Sequence, residues 1–102
     1  MKIWEEPVEF DWDKGNIGKN LKHGVEDKEA EQIFDNDPEF VFEDEKHSLS
    51  EVRYMIWGVT NQGRQLSVFF TMRKGKVRII SARYMHKKER SRYEEIQKDT
   101  KI

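Results

Sequence analysis

The sequence predicts an α+β fold: a small antiparallel β-sheet with two N-terminal helices and a C-terminal helix. Three observations carry it. Residues 39–85 fall into four short apolar segments separated by turn signals, the pattern of strands and hairpins. Residues 13–34 place apolar side chains at helical spacing between chain breakers. The chain then ends in a highly charged stretch, "KKERSRYEEIQK", with Tyr93 and Ile96 as its few apolar contacts. A length of 102 residues sets one domain over 1–102.

"VEFDWDKGN" begins extended. Asp11 or Asp13 can cap a following helix, because a short carboxylate accepts from the free N–H groups of a first turn. The first helix is expected over Asp13 to Lys22, with Ile17 and Leu21 at i, i+4 and weakened by Gly15 and Gly18. Gly24 suits the left-handed residue that ends such a helix. A second helix is expected from about Asp27 to Phe34, with Ala30, Ile33 and Phe34 on one face. "DNDP" stops it, since Pro38 disfavours helix at Asp37. "EFVFED", "VRYMIWGV", "QLSVFFTMR" and "KVRIISARYM" read as strands, with "EKHSLS" a loop. "TNQGR" and Lys74-Gly75 read as turns between them.

These turns set a register. A two-residue loop at Lys74-Gly75 pairs Arg73 with Lys76, Thr71 with Arg78 and Phe69 with Ile80. A three-residue loop at Asn61–Gly63 pairs Thr60 with Arg64 and sets Arg53 opposite Thr71. Side chains alternate between faces. Tyr54, Ile56, Val68, Phe70, Val77 and Ile79 then form an apolar face that should carry the helices. Arg53, Met55, Trp57, Phe69, Thr71, Arg73 and Arg78 form a mixed face. By the same parity Arg83 falls with Val77 and Ile79, and the apolar "RIISAR" marks a central strand.

Composition narrows the chemistry. Without cysteine there is no disulfide or thiolate chemistry, and the three histidines are too scattered for a zinc site. No metal, cofactor or Gly-rich phosphate loop is expected. No apolar run suits a membrane span and acids interrupt the N-terminus, so a cytoplasmic location is expected. The net charge of −1 conceals an asymmetry. Residues 1–51 carry 6 Lys and no Arg against 16 acids, a balance of −10. Residues 52–102 carry 13 basic residues against 4 acids, a balance of +9. Either one surface meets a polyanion or the two halves neutralise each other across the fold.

Arg53, Thr71 and Arg78 in a row, with Trp57 and Phe69 nearby, suit RNA: guanidinium forks bind phosphate and aromatic faces stack on unpaired bases. Cross-strand Arg–Thr pairs are equally at home on a solvated sheet. Lys22 and His23 precede Gly24, where cations favour a helix C-terminus. His23 can also shuttle a proton in phosphodiester cleavage, and His47, before the Arg53 strand, is a second candidate. His86 reads as a cap or solvated start of the last helix. Arg83 reads as an ion pair or a catalytic group.

Taken in order, "FDWDKGNIGKNLKHGV", "FDNDP", "HSLSEVR", "GVTNQGRQLSVFFTMR" and "VRIISARYMHKKERSRYEE" resemble the BrnT-type toxins of bacterial type II toxin–antitoxin systems. The resemblance covers roughly 10–95. It implies a RelE-like fold and a ribonuclease that cleaves RNA to inhibit translation. It also implies a BrnA-type, ribbon-helix-helix antitoxin in a heterotetramer, through which alone the pair contacts operator DNA. The motif positions that carry over are Lys22, His23, His47, Glu51, Arg53, Arg64, Arg78 and Arg83. On this reading His23 or His47 moves protons, Arg53, Arg78 and Arg83 hold phosphate, and Lys22, Arg64, Thr71 and Arg73 guide RNA. The alternative is a catalytically weak or inactive module that binds an antitoxin or regulator. RNase toxins of this fold are usually basic, and this chain is near neutral.

Overall fold

A computed structural model describes residues 3–36, 40–47 and 50–100. The fold is α+β, a four-stranded antiparallel sheet with two α-helices. Helix α1 spans Asp27–Asp35 and α2 spans Lys87–Thr100. The strands are β1 (Phe40–Glu43), β2 (Tyr54–Val59), β3 (Gln65–Arg73) and β4 (Lys76–Tyr84), in spatial order of sequence. The sequence elements from α1 onward are thus recovered within a few residues. Pro38 and Asp37, expected to stop α1, fall outside the described residues.

The expected first helix over Asp13 to Lys22 is instead a series of turns followed by a short 3-10 helix, Lys19–His23. Its cause is local. Gly18 takes a left-handed conformation (φ 67°), which no α-helix interior tolerates. Asn16 and Asn20 also turn inward, at 3% and 2% exposure, while Ile17 and Leu21 point outward at 57% and 61%. The i, i+4 spacing was real, but it is the asparagine pair that faces the protein. Gly24 closes the turn at φ 76°, as its position after Lys-His suggests, and its N–H donates to the Leu21 carbonyl.

The asparagines seal a sheet edge. "RIISAR" is not central: β4 is the last strand in the sheet. Its outer edge is covered instead by the N-terminal segment. Val77 N–H donates to the Glu9 carbonyl and Asp11 N–H to the Val77 carbonyl, each at 2.8 Å. Asn16 Nδ2 then donates to the Ile79 carbonyl at 3.0 Å, and Asn20 Oδ1 accepts from Ala82 N–H at 3.0 Å. Backbone and two side chains replace a fifth strand, which a bare edge needs.

The two hairpins close as their loop lengths imply. Lys74 and Gly75 both have positive φ, and Arg73 pairs with Lys76 and Thr71 with Arg78. Thr60 N–H donates to the Arg64 carbonyl, and the ladder from there runs to Tyr54 opposite Phe70, one residue short of the expected Arg53–Thr71 pair. Beyond this point the register departs from expectation. Phe70 faces Ile79 but Phe69 faces Ser81, not Ile80. Ile80 is the extra residue of a β-bulge, which reverses the parity of all that follows. Ala82 then turns into the core, and Arg83 turns to the face of Arg78 rather than that of Val77 and Ile79.

One face of the sheet carries the main core. Ile56, Leu66, Val68, Phe70, Val77, Ile79 and Ala82 pack against Ala30, Ile33 and Phe34 of α1 and against Trp4. Phe34 is its hub, with edge contacts to Trp4 and Phe70 at 5.0 Å and to Phe10 at 5.5 Å. Gly58 admits α1: a Cβ there would stand 2.7 Å from Ile33 Cγ2. The helices do not all share this face. Helix α2 crosses the other one, where Tyr93 and Ile96 cover Trp57, Met85, Phe40, Met55 and Val59. Trp57, expected to be available for base stacking, is 7% exposed beneath it.

If the asparagine seal carries the edge, Asn16→Ala should destabilise the fold by about 1–3 kcal/mol, the cost of leaving a buried partner such as the Ile79 carbonyl unpaired. Urea unfolding of the two proteins measures it; a change within error would mean that Asn16 does not hold the edge.

Candidate RNA-binding face

Along the α2 side of the sheet, side chains stand in rows across the strands. Phe40, Trp57, Ser67 and Arg83 form one row, Phe42, Met55, Phe69 and Ser81 the next, then Thr71 and Arg78, then Arg73 and Lys76. Helix α2 makes its apolar contacts at the Trp57 end. The arginine-rich end lies beyond it, toward the Lys74-Gly75 turn. Arg73, Arg78 and Arg83 therefore share one face, with Arg53 at the margin of β2.

The forks of Arg73, Arg78 and Arg83 are each engaged by a carboxylate from another element. Arg78 donates through both terminal nitrogens to Asp13, at 2.9 and 3.0 Å, with Asp11 Oδ2 3.5 Å away. Asp13 reaches it because Glu9 to Asp11 run along the β4 edge. Asp13 Oδ1 also accepts from Gly15 N–H at 2.7 Å, which folds the loop back onto the arginine. Arg73 makes a two-bond fork with Glu51 at 2.8 and 3.2 Å. The Arg78 guanidinium and the Gly15 N–H hold the Asp13 carboxyl below its usual range. The Arg73 fork does the same for Glu51. Arg53 lies close enough to Glu51 to contribute to that shift.

Arg83 is built differently. It forks with Glu89 of α2 at 2.7 and 3.1 Å and lies 5.4 Å over the Phe69 ring. Glu89 also accepts from the Ser67 hydroxyl and from His86 N–H. His86 thus opens α2 through its backbone, the helix-start role read from the sequence. Burial pushes the Glu89 carboxyl up, but Arg83, the His86 N–H and Ser67 together outweigh it and hold it below the ordinary carboxylate range. Glu89 pins α2 to the sheet and fixes Arg83 at once. The sequence reading missed it, although Glu89 stands three residues after His86, the spacing of a helix-start capping carboxylate.

The remaining candidates are dispersed. Lys22 and His23 are exposed at the end of the 3-10 helix, which Asn20 ties to the β4 edge. That edge position brings His23 to the flank of the sheet, not onto the Arg53–Arg78 face. Arg64 pairs with Glu29 of α1 at 3.1 Å and lies 5.8 Å over the Tyr84 ring. Thr71 is 1% exposed, and its hydroxyl donates to the Val52 carbonyl at 2.7 Å, so it braces the segment before β2. His47 ends a short 3-10 turn, and its side chain lies outside the described residues. Among the described residues no three His, Asp or Glu side chains converge in a way that would hold a metal ion, and no helix is long and apolar enough to cross a membrane.

A family model described as "Ribonuclease toxin, BrnT, of type II toxin-antitoxin system" matches residues 12–89. The chain belongs to the BrnT toxin family. No curated protein matches it. The matched span runs from Trp12, just before the Asp13–Arg78 pair, to Glu89, the anchor of Arg83. The Asp13–Arg78, Glu51–Arg73 and Arg83–Glu89 pairs all lie within it. Membership makes the chain a type II system ribonuclease toxin by family, with a protein antitoxin as partner.

Glu89 gives this face an acid-labile anchor. Its folded-state pKa is lowered from 4.5, so its contribution is fully present above that value and is lost as pH falls through the folded value. Glu89→Gln should cost about 1–3 kcal/mol of stability at neutral pH, and the gap from the parent should narrow below about pH 4.5. Denaturant unfolding at several pH values tests it; a gap independent of pH would mean that the carboxylate charge is not the anchor.

Proposed function

We propose that this BrnT-family chain is a metal-independent endoribonuclease with a RelE-like fold that cleaves RNA and inhibits translation in the cytoplasm. We assign as its partner a ribbon-helix-helix antitoxin of the BrnA type, in a heterotetramer in which operator DNA is contacted only through the antitoxin. The observation that carries the reading is the family match over 12–89. Arg73, Arg78 and Arg83 on one sheet face support it, because planar two-bond forks suit phosphate oxygens.

The chemistry needs little apparatus. A base takes the proton of a 2′-hydroxyl, and that oxygen bonds to the adjacent phosphorus. The bond from phosphorus to the 5′-oxygen breaks, and an acid protonates the departing oxygen. Arginines offset the charge that builds on the phosphoryl oxygens between these events. In this reading Arg78 and Arg83 take the phosphate role and Arg53 supports them. His23, at the sheet flank, or His47 supplies proton transfer. Lys22, Arg64 and Arg73 steer the strand. Thr71 keeps a bracing role, because its hydroxyl is already committed to Val52.

A second reading has an observation of its own. Arg64, Arg73, Arg78 and Arg83 are all already paired with carboxylates, which suits a catalytically weak or inactive module that only holds its antitoxin or a regulator. Purified protein, labelled RNA and EDTA, with and without ribosomes, separate the two. Cleavage supports the enzyme; no cleavage, together with tight binding of the adjacent gene's product, supports the module. Expressed without antitoxin, the parent chain should arrest growth, and Arg78→Ala and His23→Ala should each relieve the arrest. Undiminished arrest in both variants would remove these residues from the site.

A further inference from the structure

The acids on the arginine face occupy the positions that a nucleic acid would need. A guanidinium meets a carboxylate and a phosphate with the same planar edge and the same paired N–H groups. In Arg78 that edge is filled by both oxygens of Asp13, at 2.9 and 3.0 Å. In Arg73 it is filled by both oxygens of Glu51, at 2.8 and 3.2 Å. We propose that Asp13 and Glu51 are exchangeable counterions seated in the phosphate positions of Arg78 and Arg73, and that RNA binds by displacing them. The inference rests on the RNA reading above and adds to it what the free site holds and how it is opened.

The two sides of each pair differ in freedom. The side chain of Arg78 is 12% exposed, whereas that of Asp13 is 57% exposed on a loop. The guanidinium stays with the sheet while the carboxylate can turn into water. Glu51 is likewise 40% exposed and precedes β2. Both carboxylates stand largely in water, where their attraction is weakened and screened by salt, so exchanging one for a phosphate costs little. The two pairs also form a single field. Arg73 is influenced by Asp11 and Asp13, and Glu51 by Arg78 and Arg53. Beside them Asp11, Arg73, Lys74 and Lys76 line a cleft of about 360 Å³, an approach for a backbone that arrives from the hairpin tip. The counterions also account for a near-neutral chain presenting several arginines on one surface.

Gly15 belongs to the same device. A Cβ on Gly15 would stand 2.7 Å from Arg78 Nη2 and 3.0 Å from Asp13 Oδ1, inside the fork. Both atoms are ends of flexible side chains. A methyl group there would part the pair without disturbing the backbone and without changing charge.

The test measures binding of a fluorescent 2′-O-methyl oligoribonucleotide, which lacks the attacking hydroxyl and so reports binding apart from cleavage. Anisotropy is followed for the full chain and for D13N, E51Q, G15A, R78A and D35N. Each of D13N and E51Q should bind about fivefold tighter than the parent, the scale of one exposed ion pair, and with a steeper salt dependence. G15A should bind tighter at unchanged net charge. R78A should bind more weakly. D35N, an equal charge change on α1 at the other face of the sheet, should leave affinity unchanged. A gain in affinity is not an effect that misfolding produces. If D13N, E51Q and G15A bind no tighter while R78A still weakens binding, the counterion inference is overturned and the RNA reading stands. An equal gain in D35N overturns it in favour of a general charge effect. If no form binds, the RNA reading falls and takes this inference with it.

Discussion

The structure depends on how the outer edge of β4 is closed. A strand edge presents unpaired N–H and C=O groups, and among the described residues no further strand covers them here. Glu9 and Asp11 supply two backbone bonds at Val77, and the side chains of Asn16 and Asn20 supply the next two at Ile79 and Ala82. Buried polar atoms are costly unless bonded, and Asn16 Nδ2 and Asn20 Oδ1 find their partners on the β4 edge, so the segment has little freedom in how it lies. That path carries Asp11 and Asp13 onto Arg78, and it sets Lys22 and His23 against the flank of the sheet. The acidic half of the chain meets the basic half along this line.

The bulge at Ile80 is the second constraint. Without it β4 would send Arg83 toward the core with Val77 and Ile79, and Ala82 outward. With it Ala82 fits the core at 0% exposure, and Arg83 joins Ser67 in the row that meets α2. Glu89 then serves both Arg83 and the helix start. The outer face is thereby divided. One end is an aromatic patch roofed by α2, and the other is a set of arginines held by carboxylates. Trp57 and Phe40 are committed to Tyr93 and its neighbours, so the first end offers no free aromatic faces there.

Net charge gives a poor account of such a surface. The −10 and +9 halves cancel in sum, and the structure shows cancellation by contact: Asp13 with Arg78, Glu51 with Arg73, Glu29 with Arg64. Glu89 with Arg83 is the same arrangement within the second half. These contacts differ in character. The Asp13 and Glu51 pairs are open to water on the acid side, whereas the Glu89 pair is mostly enclosed and shares its oxygens with Ser67 and the start of α2. The first kind exchanges readily; the second holds architecture.

By itself the sequence determined the strands of the second half, the Lys74-Gly75 turn, helix α1 and the Thr71–Arg78 pairing, because alternation and short loops are local properties. It also carried the family signature that names the chemistry. It did not determine which way Arg83 points, since a single inserted residue at Ile80 reverses parity and leaves no mark in an apolar run. Nor did it show that Asn16 and Asn20, rather than Ile17 and Leu21, face inward: the need for two amides exists only once an uncovered β4 edge is present to bond them. The same holds for Trp57, whose burial depends on α2 crossing the sheet, and for the carboxylates on each arginine, whose partners lie up to 65 positions away in the chain. Local rules set the elements, and long-range closure of one sheet edge decided what each functional side chain meets.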